Sequence, residues 1–196
     1  MAKLYTKAGD KGYTSLYDQK GLSKGDVIFD FLGDLDELSA HIGMLHALLK
    51  ENEQIALSLL DCGVLRIIQL KLLDIGSNIA TTKEKRRTTG VDMVDIMYLE
   101  KLIDAYEEQN TKLTEFIVPG VQPTDSQVHI CRAVSRRVER HLSRLETNVD
   151  DEIRQYLNRL SDFFFALGRR IGNGKELKRS EIQAWYLKNR SCVINV

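Results

Sequence analysis

Apolar side chains recur every three or four residues along most of the chain, and this spacing constrains the fold more than any other feature. In the clearest run the intervals are 3, 4, 3, 4, 3 and 4, at Ile28, Phe31, Leu35, Leu38, Ile42, Leu45 and Leu49. A period near 3.6 residues places such positions on one face of an α-helix. Alternation typical of a strand is confined to the short run Phe116–Val118.

The same period predicts five helices, over about residues 28–49, 53–80, 91–109, 123–145 and 150–172. The only prolines are Pro119 and Pro123, so residues 1–118 contain none that would break a helix. We predict one all-α domain over 1–196, in which a glycine-containing loop (1–25) leads into a five-helix bundle (26–172). The tail, 173–196, is predicted to be either an extra helix around 181–189 or a loose segment.

Composition places the chain among ordinary globular proteins. With 196 residues, 43% of them hydrophobic, it can bury a sizeable core. Its three cysteines, Cys62, Cys131 and Cys192, are too far apart for a zinc pattern and too few for a disulfide framework, which favours a reducing compartment. Neither a signal core nor a stretch of ~20 apolar residues occurs, so we expect a cytoplasmic protein without membrane association.

Charge is segregated along the chain. The totals are equal, 28 basic and 28 acidic side chains, which argues against a general nucleic-acid binder. The net charge is +3 over residues 1–25, −8 over 26–122, +2 over 123–146 and +3 over 147–196. Basic segments from distant parts of the sequence could therefore meet around one small polyanion.

The opening segment, residues 5–15, reads YTKAGDKGYTS. Glycines let a backbone curl so that successive N–H groups face one anion, and hydroxyls and lysines add donors. This chemistry suits a phosphate chain, although no Walker A motif is present. The alternative is a solvent-exposed turn with incidental lysines.

A row of arginines follows the prolines, at Arg132, Arg136 and Arg140. Stacked guanidinium groups repel one another unless they face carboxylates or phosphates, which they bind in bidentate fashion. The acidic candidates lie on the first helix, at Asp34, Asp36 and Glu37. The alternative is a solvated charged face.

A second stripe on the fifth helix carries Asn158, Asp162, Phe165 and Arg169. Polar groups interleaved with a phenylalanine suit the edge of a partly aromatic ligand, and the alternative is a helix with core contacts on two sides. Phe116 precedes a Pro-Gly turn that can hold it rigidly, or that segment plugs the bundle end.

The four histidines lack the spacing of a helical metal pair, so we interpret them as structural or surface residues and predict no protein-bound metal.

Together these segments resemble one family, the PduO-type ATP:cob(I)alamin adenosyltransferases. The resemblance rests on the loop YTKAGDKGYTSL, the first-helix segment GDLDELSAHIG, FIVPG followed by HICRAVSRRVER, and YLNRLSDFFFALGR. It implies a homotrimeric five-helix bundle, cobalamin adenosyltransferase-like, with active sites between subunits.

The resemblance also implies the roles of individual residues. ATP would be held by Arg136, Glu139 and Asn158, and its triphosphate by the loop, through Thr6, Lys7, Gly9, Asp10, Gly12, Thr14, Ser15 and Lys24. Arg132 would pair with Asp36 across the subunit interface, and Mg²⁺ would accompany the triphosphate. Phe116 would lie on the lower face of the corrin and exclude an axial ligand, with Asp162 and Phe165 also on the corrinoid side. Arg136, Glu139 and Phe116 are the implied catalytic residues.

The implied reaction transfers the 5′-deoxyadenosyl group of ATP to cob(I)alamin, with release of triphosphate. A cobalt reductase and an adenosylcobalamin-dependent mutase are the implied protein partners. Departures from the family pattern at Lys7, Ala8, Gly21 and Ser39 predict weaker ATP binding. Two alternatives stay open: a module that binds and delivers ATP or corrinoid without turnover, and a plain interaction protein.

Overall fold

The computed structural model describes residues 5, 7–51, 59–82, 85, 90–145, 149–172 and 175–194. Six helices lie within these residues: α1 (Val27–Glu51), α2 (Leu59–Ile79), α3 (Met93–Gln109), α4 (Pro123–Leu142), α5 (Asp151–Gly172) and α6 (Arg179–Ile194). The first five confirm the predicted bundle, although residues 53–58 of the predicted second helix lie outside the described part. No described helix is both long and apolar enough to span a membrane.

The core is one cluster built from the apolar stripes. α4 packs between α1 and α5, while α2 lies against α1 and α3 lies against α5. Side chains from α1, α2 and α5 have no exposed surface, among them Phe31, Ile42, Ile75, Phe163 and Phe164. Each such side chain stabilises the fold by roughly 1.5–3 kcal/mol. The packing order sets the polar edges of α4 and α5 side by side.

Helix α3 begins at a capping box. The Asp92 carboxylate accepts from the N–H groups of Val94 and Asp95 at 2.8 and 3.1 Å, and Asp95 accepts from the Asp92 N–H at 3.1 Å. Such a cap is worth about 1 kcal/mol. Gly90, just before it, has a φ of 71°, a left-handed conformation that favours glycine.

Within the described residues, four short strands accompany the helices. β1 (Tyr13–Ser15) pairs with β2 (Lys20–Ser23), and β3 (Ile117–Val118) pairs with β4 (Leu177–Lys178), both antiparallel. The sequence predicted only the β3 region, because strands of two to four residues are too short to display alternation. The β1–β2 hairpin and the β3–β4 pair lie at the loop and next to Phe116, the two regions where the resemblance predicts ligands.

The tail forms α6, which decides between the two predicted alternatives. Its first turn is tied to the segment before β3, because the Ser180 N–H and hydroxyl each donate to the Glu115 carboxylate at 3.0 Å. Its middle exposes three large side chains, Trp185, Tyr186 and Leu187.

Candidate functional site

The glycine-containing loop curls back on itself. Lys7 and Gly12 both have positive φ, 61° and 82°, and the Gly12 N–H donates to the Gly9 carbonyl at 3.2 Å. The β1–β2 hairpin then brings Lys24 back to the loop, where its N–H donates to the Gly12 carbonyl at 2.9 Å. Lys7, Asp10, Gly12 and Ser15 are exposed, and Gly9 and Thr14 are half-buried. Thr6 lies outside the described residues.

Gly9 faces the ammonium group of Lys24. A Cβ built on Gly9 would lie 2.9 Å from Lys24 Nζ, so any larger residue would displace that side chain. The structure therefore places Lys24 beside the loop despite the 14 residues between it and Gly9.

The loop is anchored to the end of α2 through Asp18. Its carboxylate accepts from the Thr82 hydroxyl and, at 3.1 Å, from the Thr82 N–H, while Lys85 Nζ lies 3.8 Å away. The Thr82 hydroxyl hydrogen bond lowers the pKa of Asp18 most, and Thr82 N–H and Lys85 add to the effect against the opposing cost of burial. Sequence reasoning missed this anchor because Asp18 and Thr82 are distant in the chain.

Two of the predicted ATP residues meet across α4 and α5. Asn158 Nδ2 donates to Glu139 Oε1 at 2.8 Å, and Arg159 Nη1 donates to Asn158 Oδ1 at 3.0 Å. Arg136 lies one helical turn before Glu139 and is exposed. An amide, a carboxylate and a guanidinium therefore occupy one polar edge of the bundle.

The acidic side chains of α1 are met by an arginine outside the predicted row. Arg137 Nε donates to Asp34 Oδ1 at 3.0 Å, and Arg137 Nη2 donates to Glu37. That hydrogen bond lowers the pKa of Glu37 and raises the pKa of Arg137. Packing of α4 on α1 turns Arg137 toward the acids, so the expectation that Asp34 and Glu37 face the predicted row is corrected.

The two residues of the predicted intersubunit pair, Arg132 and Asp36, lie on α4 and α1. Arg132 is half-buried, and its Nε is a buried donor without a hydrogen-bond partner among the described residues. Asp36 is exposed and lines a largely apolar groove between α1 and α2, together with Leu32, Leu35, Ser39, Leu72, Leu73, Gly76 and Ser77.

Phe116 lies immediately before β3 and is 78% exposed. The turn that follows contains Gly120, whose φ is 124°. The Asp125 carboxylate holds this turn, since it accepts from the N–H groups of Gly120 and Val121 at 3.1 and 3.2 Å. Burial raises the pKa of Asp125, but the hydrogen bonds from His129, Gly120 and Val121 together outweigh burial and leave that pKa below its ordinary value.

Phe165 lies among cations on the α4–α5 edge. The guanidinium carbons of Arg132 and Arg169 each lie 6.0 Å from its ring centroid, and the His129 ring meets it edge-on at 6.4 Å. Asp162 is exposed one turn away. Arg169, which the sequence placed on a ligand edge, is instead 3% exposed and bound to carboxylates.

Two of the four histidines are buried and two half-buried. His46 is buried, and burial, with nearby Arg66 and Lys50, lowers its pKa. Among the described residues, no group of three or more His, Cys, Asp or Glu could hold a metal ion.

The fold and these features define a class, the all-α bundle with a glycine-containing loop and a charged α4–α5 edge. The particular family follows from comparison: residues 4–171 match the family model described as Cobalamin adenosyltransferase. The chain belongs to this family of transferases, which confirms the resemblance seen in the sequence.

Curated relatives and a solved structure agree. The chain is 37% identical over 176 residues to Corrinoid adenosyltransferase MMAB of Bos taurus, covering 86% of this chain and 71% of that one. It is 37% identical over 187 residues to the corrinoid adenosyltransferase of Bacillus subtilis, covering 92% and 94%. A variant PduO-type ATP:corrinoid adenosyltransferase from Lactobacillus reuteri, complexed with cobalamin and ATP, has a TM-score of 0.79 at 29% identity, covering 90% and 98%.

Proposed function

We propose that this chain transfers the 5′-deoxyadenosyl group of ATP to cob(I)alamin, forming adenosylcobalamin and triphosphate. The observation that carries the proposal is the family match over residues 4–171, in a chain that keeps Arg136, Glu139 and Asn158 on one edge.

The chemistry places specific demands on the protein. The lone pair of Co(I) attacks C5′ of the ribose, a Co–C bond forms, and the C5′–O bond breaks with its electron pair leaving on triphosphate. No proton transfer is needed, so the protein's task is to align the two substrates and to stabilise the negative charge of the leaving group.

The loop and Lys24 are proposed to hold the triphosphate. The loop offers backbone N–H groups, hydroxyls and one ammonium group, and Lys24 offers a second ammonium group. The loop residues are Thr6, Lys7, Gly9, Asp10, Gly12, Thr14 and Ser15. The close approach of Lys24 Nζ to Gly9 supports this role, because it sets a cation against the curled backbone. Lys7 neutralises phosphate without the bidentate fork of an arginine, which is consistent with weaker ATP binding.

Arg136, Glu139 and Asn158 are proposed to contact ATP beyond the loop, with Arg136 stabilising the departing charge. The hydrogen bond between Asn158 and Glu139 supports this assignment, because it fixes two polar groups before any ligand arrives. Arg136 is exposed at the same edge and is sterically available to an anion.

A homotrimer with an Asp36–Arg132 pair between subunits is the proposed assembly. The buried Nε of Arg132 supports it, because an unsatisfied buried donor costs about 1–3 kcal/mol. Exposed apolar side chains supply a second argument, because Ile67, Leu70 and Leu73 lie along the face of α2 that borders the groove at Asp36.

The corrin is proposed to lie against Phe116, Asp162 and Phe165. A largely exposed phenylalanine next to β3, whose following turn is held by Asp125, can cover the lower face of the ring and exclude an axial ligand. Loss of an axial donor lowers the energy of the cobalt orbital that accepts the electron, so cob(II)alamin becomes easier to reduce.

Mg²⁺ is proposed to enter with ATP. It typically keeps several waters and takes substrate phosphates as ligands rather than an all-protein cage. The oxygen donors of the loop, those of Asp10, Thr14 and Ser15, are chemically suited to the waters around such an ion. The cobalt reductase, the mutase and the cytoplasmic location stay predictions.

Anaerobic incubation with ATP and cob(I)alamin, followed by absorbance, tests the proposal. We expect the spectrum of a light-sensitive Co–C bond. Binding of ATP or corrinoid without that product would instead support a delivery module, and binding of neither would leave only an interaction protein.

A further inference from the structure

Arg169 carries a buried guanidinium at the C-terminal end of α5, with 3% of the residue exposed. Its Nε donates to Glu176 Oε1 at 2.6 Å, and its Nη1 donates to Glu107 Oε2 at 3.1 Å. Its Nη2 donates to the carbonyl of Thr111. One side chain therefore ties α5 both to the end of α3 and to the segment that leads into β4.

That segment holds the backbone around Phe116. Ile117 pairs with Lys178 and Val118 with Leu177 in the β3–β4 ladder. Just beyond β4, the Arg179 N–H donates to the Phe116 carbonyl at 3.0 Å. Together with the Ser180–Glu115 hydrogen bonds, these contacts bind the chain on both sides of Phe116 to residues 177–180.

Phe116 depends on this backbone for its position. A side chain that is 78% exposed has little packing to orient it, so the ring lies where β3 and the following turn direct it. Asp125 holds the turn after β3, whereas β4 holds β3 itself. The side chain of Glu176, the residue just before β4, is only 10% exposed and meets Arg169.

We propose that Arg169 is a positioning residue for the lower face of the corrin site. Its guanidinium fixes Glu176 and therefore β4, and β4 fixes the backbone that presents Phe116. The consequence for catalysis rests on the proposed function, whereas the mechanical link is testable without either substrate. A planar guanidinium fork reaches two carboxylates and a carbonyl at once, which the single ammonium group of a lysine does not do.

The mechanical link is tested first, on the full chain without ligands. The chain has one tryptophan, Trp185 in α6, so its fluorescence anisotropy reports on the C-terminal segment alone. Arg169→Met should lower that anisotropy and speed amide exchange at Val118 and Leu177, the hydrogen-bonded pair of the β3–β4 ladder, by at least about tenfold, which corresponds to about 1.4 kcal/mol. The matched control is Arg170→Met, at the adjacent half-buried arginine, which should change neither. Unchanged anisotropy and exchange in Arg169→Met would overturn the proposal.

The catalytic consequence is tested by comparing two starting materials. Starting from cob(II)alamin with a chemical reductant, Arg169→Met should lose about 10²-fold in rate, the scale of a misplacement near 1 Å. Starting from pre-reduced cob(I)alamin, its rate should change little. Equal loss by both routes would identify a merely structural role and overturn the proposal.

Two further arms keep the outcomes separate. If Arg169→Met does not fold, Glu176→Gln replaces it, because this variant keeps the shape of the side chain but removes its charge. We expect a smaller loss of rate from cob(II)alamin than in Arg169→Met, little change from cob(I)alamin, and moderately faster amide exchange. The absence of these effects overturns the proposal. If the wild-type chain makes no adenosylcobalamin by either route, the proposed function fails, and anisotropy and exchange alone decide the link from Arg169 to Phe116.

Discussion

The substitution Phe116→Ala tests whether Phe116 contributes to catalysis rather than to the stability of the fold. Since 78% of Phe116 is exposed, only about a fifth of it is buried. Complete burial of such a side chain is worth ~1.5–3 kcal/mol, so the substitution should reduce the free energy of unfolding by only about 0.3–0.7 kcal/mol. The same change at Phe164, which is 0% exposed, should cost about 3–5 kcal/mol.

Catalysis should show the opposite pattern. Without the ring, the lower face of the corrin admits an axial ligand, so the rate from cob(II)alamin should fall about 10²-fold while the rate from pre-reduced cob(I)alamin falls much less. Anaerobic initial rates by absorbance measure both, and urea unfolding measures stability. The reasoning is refuted if both rates fall equally, or if Phe116→Ala destabilises the chain as much as Phe164→Ala does.

Three further predictions concern charged residues. Arg136→Ala should lower turnover by about 10²–10³-fold while the oligomeric state, measured by size-exclusion chromatography, stays that of the wild type. Arg140→Ala, at the other exposed arginine of the row, should not lower turnover. Asp18→Asn should raise the KM for ATP severalfold with little change in Tm, because it weakens the anchor at Thr82; an unchanged KM would mean that the loop is held elsewhere. Arg137→Met should lower the free energy of unfolding, measured in urea near neutral pH, by about 1 kcal/mol. This value is discounted for the solvent exposure of the ion pair. Because Arg137 lowers the pKa of Glu37, its contribution is full above the usual carboxyl pKa range and is lost as the pH falls through and below that range; a difference that does not shrink in acid would contradict the assignment.

The helices were predictable because their information is local. Spacings of three and four residues specify a buried face whatever the partner is, and α1 and α5 follow that pattern closely. The loop and the α4–α5 edge were found in the same way, from short runs of residue types. Asn158 and Glu139 illustrate this, because each was recognised within its own segment and packing of the two helices then joined them.

The remaining contacts depend on packing geometry that no local run contains. The sequence displays a row of arginines, but the rotation of α4 against α1 determines that Arg137 meets Asp34. Likewise, the β3–β4 ladder joins segments about 60 residues apart. In the sequence Arg169 belongs to a polar stripe of α5. In the fold it is a buried cation, because the Glu176 carboxylate packs against it. Periodicity therefore does not reveal long-range ion pairs, and among the described strands it indicated only the β3 region.

Adenosyl transfer from ATP to Co(I) yields two products, and the ratio between them is measurable. Under anaerobic conditions with ATP, Mg²⁺ and cob(I)alamin, we expect one intact triphosphate released for each light-sensitive Co–C bond formed. Release of separate phosphate and diphosphate throughout the reaction, or a Co–C bond without triphosphate, would contradict direct attack at C5′.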